Sequence, residues 1–334
     1  MAEGISLVLV GATSIAGESI LTVLDNSALK PSEFFLVDGD EGAGERVRHR
    51  GKEYIVQPIT EFDFSQADVA IFAASAELSA SFARKAAAEG SYVVDASGHF
   101  HGDKSVPVVL PNINPQALES AGSEGLVTLP RAATAQLVSV LKPLHDAVGI
   151  QRIDVTALLA VSEMGKAGVD ELSSQAVSLF NMREVKSEVF PQQVVFNAVP
   201  QVGSIDSSGA TLVEQGMVEE CRNLLGDQAL PVHLTAVWLP VFFGHSLAVH
   251  LQLAEELDVA AAEQILQQIP GIELGVAPSA GESAANHEEI FVGRLRQEGD
   301  DRTALKLWIV ADNVRFGVAR NMIEVVGILE KSLI

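Results

Sequence analysis

The sequence predicts an α/β protein in which a doubly wound, parallel-sheet domain is followed by a second, α+β domain. Three observations carry this. The 334 residues, 48% hydrophobic, exceed the roughly 250–300 residues at which a single core usually splits. Apolar strand-like runs alternate with helical stretches through the first part of the chain, the mark of right-handed crossovers in a parallel sheet. After Gly149 the texture changes to longer alternating strands.

In order, Leu7 to Val10 is a continuous apolar run suited to a strand buried on both faces. Gly11-Ala12-Thr13-Ser14-Ile15-Ala16-Gly17 follows at once and opens a helix running through Asn26, with Ile20, Leu21, Val23 and Leu24 on one side. Phe34 to Val37 is a second strand closing on Asp38. Val69 to Ala73 is a third, Leu78 to Glu89 an Ala-rich helix stopped by Gly90, and Tyr92 to Asp95 a fourth strand. Beyond Gly149, Ile153 to Val161 and His233 to Val241 read as strands with one amphipathic helix between them at Val169, Leu172, Ala176, Val177 and Phe180. Leu234 to Leu253 is broken by Pro240, Gly244, His245 and His250, and reads as two buried strands around a turn. A helix at Asp258 to Ile269 stops at Pro270-Gly271, and Gly275 to Asn286 is expected to be a flexible loop. Leu305 to Val310 is a last strand before a closing helix striped by Val314, Val318, Met322, Val325, Val326 and Leu329.

Composition narrows the partners. Lys and Arg number 22 against 44 acidic residues, a net charge of −22, which repels phosphodiester backbones and anionic lipid. No nucleic-acid and no membrane partner is expected. The single Cys221 excludes an intrachain disulfide framework and a Cys-based zinc site, so a reducing cytoplasm is expected. The start Met1-Ala2-Glu3-Gly4 is acidic, and no run of 18 apolar residues follows, so neither a leader nor a membrane span is expected. His99-Phe100-His101 lies on a Gly-containing stretch without a third ligand cluster, and no metal site is expected.

The glycine turn between a strand and a helix is a phosphate cradle, because backbone N–H groups and the positive helix end converge there. Gly11 and Gly17 are in place, while Ser14 occupies the middle position and narrows the approach. Asp38 ends the second strand, where a carboxylate accepts from a ribose 2′-hydroxyl and repels a 2′-phosphate; Asp40 and Glu41 add to that repulsion. A dinucleotide bound there is NAD in preference to NADP.

Seven segments in order, Gly11-Ala12-Thr13, Phe72-Ala73-Ala74-Ser75, Val94-Asp95-Ala96-Ser97, Val106-Pro107-Val108-Val109, Leu141-Lys142-Pro143-Leu144, Gly244-His245-Ser246 and Asp312-Asn313-Val314-Arg315, together resemble the aspartate-semialdehyde dehydrogenase family. The resemblance spans nearly the whole chain. It implies a Rossmann-like dinucleotide-binding domain of residues 1–131 with 312–334, a substrate and dimerisation domain of 132–311, and a homodimer. It adds Thr13, Ser14, Ser75 and Asn313 to Gly11, Gly17 and Asp38 on the cofactor side. The family's NADP-dependent reaction uses a cysteine thiolate that attacks the aldehyde, a nicotinamide that takes the hydride, phosphate that releases the acyl thioester, and a histidine base.

The match fails where that chemistry is concentrated. In Leu129-Pro130-Arg131-Ala132-Ala133-Thr134 the family's cysteine falls on Ala132. His245 keeps the base position, but the substrate-gripping Arg falls on Trp238, the phosphate-binding Arg on His101 and the Gln on Leu159. The Glu-Glu-x-Lys stretch falls on Val213-Glu214-Gln215-Gly216, and Cys221 falls on a family Thr, reading as a small buried helix residue. The pattern is similar to the Usg-type paralogues, which lack the cysteine, and implies a catalytically defective homologue. Two alternatives stay open: an oxidoreductase on aspartate semialdehyde or another carbonyl compound, using NAD or NADP and His245 without a thiol, and a non-catalytic binding or regulatory partner with or without a small-molecule ligand.

Overall fold

The computed structural model describes residues 4–333. The chain forms two compact units, Met1–Arg131 with Val318–Ile334, and Ala132–Gly317.

The first unit runs β1 (Ser6–Val10), α1 (Ile15–Asn26), β2 (Glu33–Asp38), β3 (Arg46–His49), β4 (Lys52–Ile55), β5 (Gln57–Pro58), β6 (Val69–Phe72), α2 (Ala76–Ala88), β7 (Tyr92–Asp95) and β8 (Leu126–Thr128). Six strands make one sheet in the order β5-β2-β1-β6-β7-β8, with every pairing parallel. β3 and β4 form a separate antiparallel ribbon. Alternation along β1 explains why its run is wholly apolar: Leu7 and Leu9 pack with Ile20 and Leu24 of α1, while Val8 and Val10 join Phe64 and Phe72 on the other side. The chain winds from β1 to β2 on one side and to β6 on the other. The switch point of the doubly wound sheet therefore lies at the carboxyl ends of β1 and β6.

The second unit runs α3 (Ala132–Val148), β9 (Ile150–Leu159), α4 (Gly165–Phe180), α5 (Leu212–Leu225), β10 (Val232–Trp238), β11 (His245–Leu253), α6 (Val259–Gln267), β12 (Ile272–Gly275), β13 (Ile290–Glu298) and β14 (Asp301–Ala311). Its six-stranded mixed sheet has the order β10-β9-β11-β14-β13-β12. α3, α5 and α6 pack against one face. The opposite face carries Thr156, Ala248, His250 and Trp308, and among the described residues no such helical layer packs on it. The last helix, α7 (Asn321–Leu333), returns to the first unit, where Met322, Val325 and Leu329 pack with the α1 residues Ile20 and Leu24.

β10 and β11 are two strands on either side of a turn, as expected; β10 runs parallel to β9, which separates it from β11 in the sheet. Two expectations for the second unit differ from the structure. A second helix, α5, also lies between β9 and β10; it begins with a capping box in which Thr211 and Glu214 bond each other's backbone N–H. The 275–286 stretch is tied down rather than loose, since the Trp308 indole N–H donates to Pro278 O at 2.9 Å and Asn286 N–H to Asp312 Oδ2 at 2.8 Å.

Candidate functional site

The glycine turn sits at the switch point of the first sheet. Gly11 has φ +85°, and a Cβ there would meet Ala73 O at 2.6 Å, so only glycine lets β1 turn this close to the end of β6. A Cβ on Gly17 would lie 2.1 Å from Gly11 O, which brings the first turn of α1 directly onto the loop. Ser14 caps α1: its hydroxyl accepts from Gly17 N–H at 2.9 Å and donates to Ala73 O at 2.8 Å. The amides of Ile15 and Ala16, in the first turn, have no intrahelical acceptor. Ser75 likewise caps α2 by accepting from Leu78 N–H. The two helix starts and the glycine cradle fit a dinucleotide's pyrophosphate.

Asp38 is buried at the end of β2 and anchors this loop. Its Oδ2 accepts from Thr13 N–H at 2.9 Å and from the Thr13 hydroxyl at 2.8 Å, and its Oδ1 accepts from Gly39 N–H at 2.8 Å. Gly42 folds over the pair, since a Cβ there would lie 2.5 Å from Thr13 Oγ1. With about four acceptor positions on a carboxylate, one remains on Oδ1. His101, also in the first unit, is half-buried with Nε2 3.0 Å from Leu129 O.

In the second unit Ala132 is the first residue of α3 and is buried, its methyl against Gly317; a Cβ on Gly317 would lie 2.5 Å from that of Ala132. His245, the first residue of β11, is fully buried. Its Nδ1 receives the Ala160 N–H at 3.0 Å, and a backbone N–H can only donate, so Nε2 carries the ring proton and donates to Glu163 at 3.0 Å. Gln136 of α3 donates to His245 O at 3.2 Å. Asn313 is buried, its Oδ1 accepting from Gly244 N–H at 3.0 Å and the Ser162 hydroxyl at 3.1 Å, so it fixes the turns entering β11 and leaving β9. Leu159 and Trp238 end β9 and β10 as directly paired neighbours, both buried, with Trp238 edge-on to Phe190 at 5.2 Å. Cys221 is buried in α5, and burial pushes its thiol up to about 12, with Glu220 adding in the same direction.

Two carboxylates in this unit were not singled out by sequence reasoning. Glu163 follows Ser162 after β9, where nothing in the local pattern points at a histidine 82 positions away. Glu220 is buried and accepts from the Thr134 hydroxyl at 2.7 Å, two residues beyond Ala132. A signal for Glu220 did exist, because with Met217, Cys221 and Leu224 it occupies the buried stripe of α5. Among the described residues no three His, Cys, Asp or Glu side chains converge as a metal group, and no helix is long and apolar enough to cross a membrane.

A doubly wound sheet with a glycine cradle at its switch point, joined to a mixed-sheet unit with a buried histidine, defines the class of two-domain dinucleotide-binding oxidoreductase folds. Residues 6–121 match the family model described as semialdehyde dehydrogenase, NAD binding domain, and residues 141–316 match semialdehyde dehydrogenase, dimerisation domain. The chain belongs to the semialdehyde dehydrogenase family. It is 37% identical to aspartate-semialdehyde dehydrogenase 2 of Vibrio cholerae over 98% of each chain. It is also 36% identical to a USG-1 protein homolog of Pseudomonas aeruginosa over 97% of each. The solved structure of Vibrio cholerae aspartate semialdehyde dehydrogenase II, complexed with ASA, superposes with a TM-score of 0.95 over 99% of both chains at 36% identity.

Proposed function

We propose that this chain is a semialdehyde dehydrogenase homologue that retains the dinucleotide cradle and forms a homodimer, but cannot perform the thiol-dependent step on aspartate semialdehyde. The observation that carries this reading is Ala132 at the start of α3, the position on which the family's nucleophile falls. A methyl group forms no thioester. Cys221 cannot replace it, being buried with a thiol pushed up to about 12, and a thiol that stays protonated is a poor nucleophile. His245 has its Nδ1 lone pair engaged by Ala160 N–H and its proton directed at Glu163, which leaves no free basic nitrogen in this arrangement. Loss of a covalent nucleophile costs on the order of 10⁶ in turnover.

Residues on the cofactor side support retained binding. Gly11, Gly17 and Ser14 shape the cradle, Thr13 and Asp38 hold its outer turn, and Ser75 caps the adjacent helix. A bound nicotinamide dinucleotide would supply hydride exchange. The Asp38 carboxylate favours NAD over NADP by repelling a 2′-phosphate. Asn313 acts through the turns it braces, since its carbonyl oxygen is already occupied twice. The homodimer reading rests on the dimerisation-domain match over 141–316. The His245–Glu163 pair supports a second reading, thiol-independent hydride exchange with a different carbonyl compound, in which the pair handles the proton.

The test is a phosphate-dependent oxidation assay with aspartate semialdehyde, run in parallel with NAD and NADP and with an authentic dehydrogenase as control. The expected result is no turnover by this chain, alongside dinucleotide binding by calorimetry. Turnover near that of the control would overturn the reading; turnover only with other carbonyl compounds would favour the second.

A further inference from the structure

The end of the second unit's sheet forms an apolar corner beside the buried histidine. Trp238 of β10 pairs with Leu159 of β9. Ser246 of β11 pairs with Leu158, so His245 comes level with Leu159, and the three side chains stand in a row on the face where α3 and α5 pack. The Ala160 N–H that reaches His245 Nδ1 ties the two strands together at this point. On the far side of the row, the backbone N–H and C=O of Trp238 both bond Val199, at 3.0 Å each. Phe190, edge-on to the Trp238 ring, is held through its own N–H, which donates to buried Glu171. Each member of the corner is thus positioned by hydrogen bonds of the fold itself, which reduces the ordering cost of binding a ligand there.

Two features set this corner apart from ordinary core. Trp238 is only 4% exposed, yet its indole N–H meets no acceptor among the described residues, whereas the other tryptophan, Trp308, donates to Pro278 O. A buried indole N–H ordinarily has a partner, because an unpaired donor forfeits the hydrogen bond it makes with water. Nor is it sealed in the way the unpartnered Gln136 Oε1 is, so the N–H keeps an opening through which an acceptor can reach it. The second feature is electrostatic. Trp238, Leu159 and Phe190 offer no positive charge, and Glu163, bonded to His245 Nε2 with its side chain 33% exposed, adds a carboxylate at the end of the row. An acidic ligand placed here would lose water, gain no cation from these residues and face a group of its own kind.

We infer that this corner binds an uncharged, largely aromatic or branched carbonyl compound, which lies against Trp238, Leu159 and Phe190 and whose carbonyl oxygen accepts from the Trp238 indole N–H. Trp238 is then the residue that selects the ligand, its ring by apolar contact and its N–H by requiring one neutral acceptor. The inference rests on the second reading above, exchange with a carbonyl compound other than aspartate semialdehyde, and names the class of that compound. Aspartate semialdehyde, with a carboxylate and an ammonium group, is excluded by this corner independently of the methyl group at Ala132.

Acetophenone and 4-acetylbenzoate share a ring and a ketone and differ by one carboxylate, so calorimetric titration of the intact protein with each separates the two ligand classes. The parent should bind acetophenone at least about tenfold more tightly than 4-acetylbenzoate. Trp238→Phe keeps a ring but removes the donor, and should weaken acetophenone by about 3–10-fold. Trp238→Arg should reverse the order of the two ligands by supplying a cation for the carboxylate. In a Trp308→Phe background Trp238 is the sole tryptophan of the chain, and acetophenone should change its fluorescence saturably. Binding of 4-acetylbenzoate as tightly as acetophenone, binding of neither, or an acetophenone affinity unmoved in a Trp238→Phe variant that melts like the parent would overturn the inference. NADH consumption with acetophenone is a separate arm. Binding without consumption would leave the ligand class standing and overturn thiol-independent hydride exchange.

Discussion

Replacing Asp38 with Asn should erase a preference for NAD over NADP while leaving the loop in place. The carboxylate holds Thr13 through Oδ2 and Gly39 through Oδ1; Asn keeps one acceptor for Thr13, so the anchor of the cradle survives. What disappears is a negative charge at the end of β2. A carboxylate about 4 Å from a 2′-phosphate repels it by ~1 kcal/mol per pair of unit charges in water and by ~4 kcal/mol at an effective dielectric of 20. The phosphate carries roughly 1.5–2 charges at neutral pH. Even the lower bound reaches about 1.4 kcal/mol, or tenfold in affinity. The parent should therefore bind NAD at least about tenfold more tightly than NADP, and Asp38→Asn should bring the ratio to within about threefold of unity. Calorimetric titration of both nucleotides at ~0.15 M salt, where the Debye length is ~8 Å, reads this directly. Equal or tighter NADP binding by the parent, or a ratio unchanged by the substitution, would refute the reasoning.

Other outcomes follow from the same structure. Native Cys221 should resist iodoacetamide at pH 8, where a thiol at about 12 is ionised in about one molecule in 10⁴; rapid alkylation without unfolding would contradict its burial. Glu171→Gln leaves two of the four donors around Glu171 without an acceptor. At ~1.5–3 kcal/mol per bond to a charged group, discounted for shared neighbours, it should cost roughly 3 kcal/mol and lower the Tm of this unit by about 6–12 °C in calorimetry. Burial holds the His49 imidazole below its ordinary value, against the opposing pull of Asp25. Its neutral form is thus favoured in the folded state, contributing stability that is present above about pH 6.5 and lost as pH falls through the lower folded value. Thermal melts at pH 7.5 and 5 should show the parent losing more Tm on acidification than His49→Phe, a change that preserves ring packing against Phe34.

The parts of this molecule legible in the sequence are those fixed by local rules. β1, its glycine turn and α1 follow from a continuous apolar run, two glycines that no Cβ can replace and a helical stripe, and all three stand where expected. The mixed sheet was less legible because pairing is a long-range choice. β10 and β11 are close in sequence, yet each pairs with β9, and nothing in either strand announces that partner. β13 was hidden by Gly293 and by the bulge that follows, which together break its two-residue alternation. At the candidate site, the identity of position 132 is plain from sequence. The state of His245 is not, for it depends on Ala160 and Glu163, which only the folded chain brings to its two nitrogens.

The first unit is assembled from both sides of the second, and this has a consequence in time. The apolar face that α1 shares with β1 is completed by Met322, Val325 and Leu329 of α7, and the 186 residues of the second unit come between. At roughly 5–20 residues per second of synthesis, about 10–40 s separate the emergence of the first sheet from that of the helix that closes it. Throughout that interval Ile20 and Leu24 lack part of their packing, while the inserted unit, continuous in sequence, can already fold. The period of greatest exposure to aggregation or to a chaperone therefore belongs to the nucleotide-binding half, and it should lengthen when translation through the middle of the message is slowed.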